Sequence, residues 1–185
     1  MSDSEVPQYI KSITADLGLD IVALYRKVQL HNESLKAKDH NEVLQILQMK
    51  FGQDYGAGKL DLIQAVSVAF SILQLSYKLN DYESQIVTLS NLGLIFQNAR
   101  AYDVALIFAS EGIPIAYKHN LLEAKLKALK IISLVYTNTQ QTEKRIEVME
   151  EVAEIHGKLG QMDKKAEIEG LIKQTREFVA IIEKS

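Results

Sequence analysis

The sequence predicts an all-α protein made of four helical hairpins and a C-terminal capping helix. Three observations carry this prediction: apolar columns recur with a period of 40 residues, glycine or asparagine breaks recur between them, and the last segment is amphipathic. The predicted hairpins occupy residues about 1–40, 41–80, 81–120 and 121–160, and the capping helix occupies 161–183. Residues 1–185 are therefore expected to form a single domain.

Two pairs of apolar columns define the two helices of each unit. The first helix carries one column of Val6, Ile46, Ile86 and Leu126, and a second of Tyr9, Met49, Leu89 and Leu129. Their separation of three residues places both columns on one face of a helix. The second helix carries a column of Val28, Val68, Phe108 and Val148, and another of Leu35, Leu75, Ile115 and Ile155.

Two breaks recur in each unit at residues that favour the left-handed conformation ending a helix. The first break falls at Gly18, Gly58, Asn98 and Asn138, and the second at His40, Asn80, Asn120 and Gly160. The first helix of each unit is therefore predicted at about 6–17, 41–56, 82–97 and 121–137. The second is predicted at about 20–38, 60–79, 101–119 and 141–158. Pro114 lies inside one of these helices, where it predicts a bend or an early stop.

Residues 161–183 form the ninth predicted helix, which has one apolar and one charged side. Its apolar residues at helical spacing are Ile168, Leu171, Ile172, Phe178, Val179 and Ile182. Because a repeat array exposes the inner surface of its last hairpin, this helix is expected to act as the cap.

Composition narrows the range of functions. The 21 basic and 24 acidic residues give a net charge of -3, which does not favour binding to nucleic acid or anionic lipid. The absence of cysteine excludes disulfides, zinc ribbons and thiolate nucleophiles. The N-terminus is polar and acidic, and no window reaches 18 uninterrupted apolar residues, so we expect a cytoplasmic protein without a membrane span.

One stretch resembles a known family. Leu92, Gly93 and Phe96, followed by Tyr102 and Ala105, are similar to the motif of the tetratricopeptide repeat (TPR). In the next unit Ser133 and Tyr136 stand at the small and aromatic positions, although Leu89 and Arg100 replace the usual tryptophan and turn glycine. The period is also 40 rather than 34, so the resemblance is to longer, divergent TPR-like repeats. It implies a right-handed superhelix that holds a peptide or a partner's helix on its concave face.

The resemblance implies that the first helix of each unit lines this concave face. Carried over by position, the partner-binding residues are Lys50, Asp54, Ser90, Asn91, Gln97, Lys127, Lys130 and Leu134. The lysines and Asn91 can bind an acidic peptide, although the same pattern is typical of an ordinary solvated helix face. We expect a protein-interaction module, an adaptor or assembly subunit, that is a monomer or homodimer. The alternative is an enzyme or ligand sensor with a pocket inside the superhelix.

Motifs for catalysis, cofactors and metals are weak. The glycines from Gly52 to Gly58 look like a phosphate-binding loop, but Leu60 stands where Ser or Thr is required and the preceding segment is helical. The histidines, His31, His40, His119 and His156, lack metal-ligand spacing. We therefore predict no catalytic residue, no metal and no cofactor. A column of Lys38, Lys78, Lys118 and Lys158 fits helix C-termini, with a basic ridge as its alternative.

Overall fold

The computed structural model describes residues 17, 18, 20–33 and 39–182. All regular structure within these ranges is helical, which confirms the all-α class. The helices are α1 (Ile21–Glu33), α2 (His40–Gly56), α3 (Leu62–Leu79), α4 (Tyr82–Asn98), α5 (Tyr102–His119), α6 (Leu122–Asn138), α7 (Thr142–Lys158) and α8 (Met162–Ile182). From α2 onward the predicted helix bounds differ from the observed ones by at most two residues. The helix predicted at 6–17 lies outside the described residues apart from Leu17, as does the 34–38 end of its successor.

A single hydrogen-bond pattern closes each helix from α2 to α7. After α3, for example, the Asn80 amide donates to the Tyr77 carbonyl at 3.2 Å, and the Asp81 amide donates to the Ser76 carbonyl at 2.9 Å. This is the Schellman motif, which requires one residue in the left-handed conformation. Those residues are Gly58, Asn80, Arg100, Asn120, Gln140 and Gly160. The turns are therefore specified by interactions within six consecutive residues.

The predicted breaks are confirmed at some positions and wrong at others. Positive φ angles occur as predicted at Gly18, Gly58, Asn80, Asn120 and Gly160. Asn98 and Asn138 instead end their helices, with the left-handed residue two positions later, and His40 begins α2. The reason is the loop 57–61, which has five residues where 99–101 and 139–141 have three. A column drawn at intervals of 40 from Gly58 therefore falls two residues short of each later turn.

The two extra residues of the loop 57–61 also shift the apolar columns. Ile86, Leu126, Leu89 and Leu129 are buried as predicted, but Ile46 and Met49 are 52% and 63% exposed, so the prediction is wrong for α2. Leu44, which stands 42 residues before Ile86, is the buried residue instead. The other two columns are buried at Val28, Phe108, Leu75 and Ile155, and half-buried at Val68, Val148 and Ile115. Val6, Tyr9 and Leu35 lie outside the described residues.

Arg100→Gly and Gln140→Gly are each expected to stabilise the protein by about 1 kcal/mol. Both residues have positive φ angles of 61° and 57°, a region in which a side chain strains the backbone and glycine does not. Urea unfolding of the single variants measures the gain. Asn98→Gly, at the helical position chosen by the 40-residue column, is the matched control. A gain at position 98 that equals the gain at position 100 would contradict the assignment of the turn.

The helices pack mainly on their neighbours in the chain. α3 contacts α1, α2 and α4, and each of the pairs α4–α5, α5–α6, α6–α7 and α7–α8 is in contact, as is α4 with α6. Aromatic rings join the middle of the fold: Phe108 of α5 stacks on Phe96 of α4 at 5.4 Å and lies 6.3 Å from Phe70 of α3. Tyr25 of α1 meets Phe70 edge-on. The buried core is therefore continuous from α1 to α5.

Gly93 marks the closest approach between helices. A Cβ atom at this position would lie 3.0 Å from the Ala105 carbonyl oxygen, and 3.2 Å from both the Ala109 Cβ and the Ile131 Cγ2. These atoms belong to α5 and α6, so three helices meet at one residue without a side chain. Any substitution here must push two helices away from α4.

Pro114 does not stop α5, which continues to His119, so the predicted early stop is wrong. Pro114 and Ser110 are both exposed. Proline lacks the amide that would bond the carbonyl of residue 110, and on the exposed side that carbonyl can bond water instead.

Within the described residues, one helix has the length and apolar composition needed to cross a membrane. It is α3, Leu62–Leu79, and half of that stretch is buried inside the protein. Its buried residues include Phe70 and Leu75, which pack in the core shared with α1, α2, α4 and α5.

Candidate functional site

The predicted partner-binding residues lie on α2, α4 and α6 and differ in accessibility. Lys50, Lys127, Lys130 and Leu134 are exposed, while Asp54, Asn91 and Gln97 are half-buried. Ser90 is buried and its hydroxyl donates to the Ile86 carbonyl at 2.8 Å. Asp54 lies 3.7 Å from the Lys59 ammonium. Lys127, Lys130 and Leu134 on α6 are therefore the most accessible group.

Specific contacts hold the three helices side by side. The Gln48 amide of α2 donates to the Ser84 hydroxyl of α4 at 2.7 Å, and the Asn98 amide of α4 donates to the Tyr55 hydroxyl at 2.9 Å. Between α4 and α6, Ile131 approaches the backbone of Gly93. The structure thus brings the predicted residues of α4 and α6 onto adjacent packed helices, whereas α2 meets α4 through these two side-chain hydrogen bonds without close helix packing.

Two polar features of this surface distinguish it from a fully satisfied helix face. The Gln97 Oε1 atom is buried and has no hydrogen-bond partner. Neither Lys127 nor Lys130 forms an ion pair within the described part of the chain. Buried polar atoms are normally bonded, and unpaired cations in a row attract an anion. The unpaired ammonium groups of Lys127 and Lys130 suit a surface that meets an anionic ligand.

The most deeply buried charge of the described residues lies elsewhere, at Lys125 of α6. This side chain is 3% exposed, and its ammonium contacts the Glu151 carboxylate of α7 and lies 3.3 Å from the centre of the Tyr117 ring of α5. The Tyr117 hydroxyl donates to Glu151 Oε1 at 2.7 Å. Lys125, Glu151 and Tyr117, hereafter the α5–α7 ion cluster, thus connect three helices through one buried ammonium.

The cluster perturbs the acid in it. Burial raises the pKa of Glu151, but hydrogen bonds from Lys125 and Tyr117, with the charges of Lys125 and Lys158, outweigh burial and hold this pKa below its ordinary value. The carboxylate is therefore ionised in the folded protein and stabilises the buried lysine. Glu151 is 32% exposed, and its carboxylate lies against the buried Lys125 side chain rather than free in solvent.

An incomplete copy of this cluster stands one period earlier. Tyr77, Gln85 and Glu111 lie 40 residues before Tyr117, Lys125 and Glu151. Burial and the nearby Glu111 charge raise the pKa of Tyr77. Gln85 replaces the lysine, and its amide donates to the Ser76 carbonyl at 3.1 Å. The tyrosine and the glutamate that recur at intervals of 40 were the sequence signal for the cluster. Only the later copy contains a lysine, Lys125, and therefore an ion pair.

The predicted capping helix is present but only partly packed. Ile172 is buried and Ile168 half-buried against α7, whereas Leu171, Phe178 and Ile182 are exposed. A cleft of about 560 Å³ between α7 and α8 is lined mostly by charged residues, among them Glu150, Lys173 and Arg176. Arg176 donates to Glu150 at 2.5 Å across this cleft. A second cleft, of about 410 Å³, lies between the α6–α7 turn and the end of α8 at Val179 and Ile182.

Residues considered for other chemistry have local roles. His119 stacks on Tyr82 with ring centres 3.6 Å apart, and His156 shares a 2.7 Å hydrogen bond with Gln161. Lys78, Lys118 and Lys158 are exposed near helix C-termini, and Lys38 lies outside the described residues. The described ranges hold no group of three or more His, Asp or Glu residues arranged to bind a metal. Gly52 to Leu60 forms the end of α2 and the following loop.

Comparison of the chain with protein-family models, with curated proteins and with solved structures finds no match.

Proposed function

We propose that the protein is an interaction module, an adaptor or assembly subunit without chemistry of its own, that binds a peptide or partner helix on the surface formed by α2, α4 and α6. The observation that carries this proposal is the row of Lys127, Lys130 and Leu134 on α6, which is exposed and contains ammonium groups that form no ion pair within the described residues. Ammonium groups and amides recognise carboxylates and peptide backbone. The TPR-like motif of α4 and α5 supports the same surface by resemblance.

A photoreactive amino acid placed at Lys130 is expected to cross-link a second polypeptide in native extract. The same label at Glu147, exposed on α7, serves as the control. Mass spectrometry of the cross-linked product identifies the partner. Identical products from both positions would mean that this surface has no preference and would contradict the proposal.

The double variant Lys127→Ala with Lys130→Ala is expected to bind the partner identified in this way about tenfold more weakly. Its affinity is also expected to depend less on the salt concentration. Each alanine removes one charge contact that salt would screen. Titrations at low and high ionic strength measure both effects. Lys118→Ala, an exposed lysine of α5, is the matched control. Unchanged affinity in the double variant would remove these two lysines from the site.

A further inference from the structure

The exposed apolar residues of α8 form one face that the repeat register identifies. Leu171, Phe178 and Ile182 follow one another at i, i+7 and i+11, and they are exposed by 44%, 63% and 58%. Leu171 stands 40 residues after Ile131, the residue of α6 that approaches Gly93 on α4. The Ile131 face of α6 thus packs against α4, the first helix of the preceding unit. By register, the Leu171 face of α8 is the one directed towards α6.

The expected contact between α8 and α6 is missing. α4 and α6 pack directly, but α8 packs on α7 and makes no comparable contact with α6, although both helices are fully described. The effect is visible on α6 as well. Ser90 is buried and Leu94 half-buried on α4, the helix against which α6 packs, but Lys130 and Leu134, one period later on α6, are exposed. Two faces that the register directs towards each other are therefore both uncovered.

We propose that this opening between α6 and α8 is the docking site for an amphipathic, acidic helix of a partner protein. Its apolar side would contact Leu134, Leu171 and Phe178, and its carboxylates would pair with Lys127 and Lys130. The inference rests on the proposed function and names the class of ligand and the residues that anchor it. A helix fits because each wall is itself a helix whose neighbour in this direction is absent, and helix-in-groove binding uses anchors at i, i+3, i+4 and i+7.

Two exposed lysines on the α6 wall favour an acidic partner. Lys127 and Lys130 are exposed, and no carboxylate of the described residues pairs with them. An apolar helix alone would leave both ammonium groups beside a dry contact, which costs binding energy unless an anion accompanies them. Phe178 is the largest exposed side chain on the α8 wall, and aromatic anchors commonly dominate helix binding.

The test uses three labelled peptides of about 20 residues that differ in charge or in apolar pattern. The first carries leucines at helical spacing with glutamates elsewhere, the second replaces the glutamates by lysines, and the third scrambles the first so that no apolar stripe remains. By fluorescence anisotropy, the full-length protein is expected to bind the first at least about tenfold more tightly than the other two. Equal binding of the acidic and scrambled peptides overturns the proposal.

Variants locate the binding. Leu171→Glu with Phe178→Glu is expected to weaken the acidic peptide at least about tenfold, and Lys127→Glu with Lys130→Glu to reverse the preference towards the basic peptide. The matched control is Ile63→Glu, the same chemical change at an exposed apolar residue of α3, which is expected to change nothing. Loss of binding in this control as well would overturn the assignment to α6 and α8.

Other occupants give different outcomes. A wild-type dimer that Leu171→Glu with Phe178→Glu converts to a monomer in sedimentation would assign the face to a second copy of the chain. The sequence has no cysteine, so spin labels at Lys130→Cys and Leu171→Cys report one distance only. A short distance between the two spin labels in the absence of peptide would mean that α8 closes onto α6. Cross-linking at Lys130 that survives the Leu171 and Phe178 substitutions would leave the proposed function standing and overturn this inference alone.

Discussion

Replacing Gly93 by leucine is expected to lower the free energy of unfolding by about 3 kcal/mol or more, and replacing it by alanine by about 1–3 kcal/mol. Even the Cβ of alanine would lie 3.0 Å from the Ala105 carbonyl oxygen, which belongs to the backbone of α5 and cannot rotate away. The helix-propensity gain of alanine over glycine, about 1 kcal/mol, is too small to offset moving α5 and α6. Overpacking therefore dominates at this position.

Urea unfolding of Gly93→Ala and Gly52→Ala separates packing from propensity. Gly52 also lies within a helix, and a Cβ there would meet nothing within 4 Å. Its alanine variant is therefore expected to gain about 0.5–1 kcal/mol. A gain of the same size at position 93 would show that α4 and α5 do not approach as closely as the structure has them.

Replacing Glu151 by leucine is expected to cost about 2–3 kcal/mol, because it leaves the buried Lys125 ammonium with only the Tyr117 ring beside it. Lys125→Met is expected to cost less than about 1 kcal/mol, since the Glu151 carboxylate is 32% exposed and can rehydrate. Loss of Glu151 is therefore expected to cost more stability than loss of Lys125, although both break the same ion pair. Urea unfolding at neutral pH measures both.

The control for this asymmetry is the next residue along the chain. Glu150 pairs with Arg176, but both side chains are about half exposed, so Glu150→Leu is expected to change stability by less than about 0.5 kcal/mol. The double variant Lys125→Met with Glu151→Leu should recover most of the loss, because no unpaired charge remains. A double variant as unstable as Glu151→Leu alone would show that the loss of stability comes from poor packing of the leucine and not from the unpaired charge.

Acid should remove the advantage of the wild-type cluster. The folded pKa of Glu151 lies below its ordinary value of 4.5, so its stabilisation is complete above that pH and is lost as the pH falls through the folded pKa. The difference in unfolding free energy between wild type and Glu151→Leu is therefore expected to shrink on acidification. A difference that stays constant below pH 4.5 would contradict an ionised Glu151.

The helix positions could be predicted closely from the sequence because their signals are local. The columns through Ile86 and Leu89 hold from α4 onward, where successive turns are spaced 20 residues apart. They fail at Ile46 and Met49 because the loop 57–61 is two residues longer than its equivalents. Loop length leaves no trace in apolar periodicity, and strict addition of 40 carried the shift into the Asn98 and Asn138 predictions.

The α6 residues of the candidate site could be selected from the sequence, whereas the α8 residues of the proposed docking site could not. Lys127, Lys130 and Leu134 fall outside the apolar columns, which predicts exposure, and the structure leaves them exposed. Leu171 and Phe178 share their pattern with the buried Ile172, and all were assigned to one covering face. Lys125 was overlooked because a lysine within a helix is ordinarily solvated.

The sequence by itself determined how many helices follow residue 40 and where each turn falls to within two residues, because helices and Schellman turns depend on contacts within a few residues along the chain. Only the tertiary structure decided that Lys125 is buried against Glu151 and that α8 leaves α6 uncovered. Those outcomes depend on how side chains distant in sequence fill space together. Ile168 and Ile172 pack α8 on Ile146 and Met149 of α7, and this packing leaves Leu171 and Phe178 exposed.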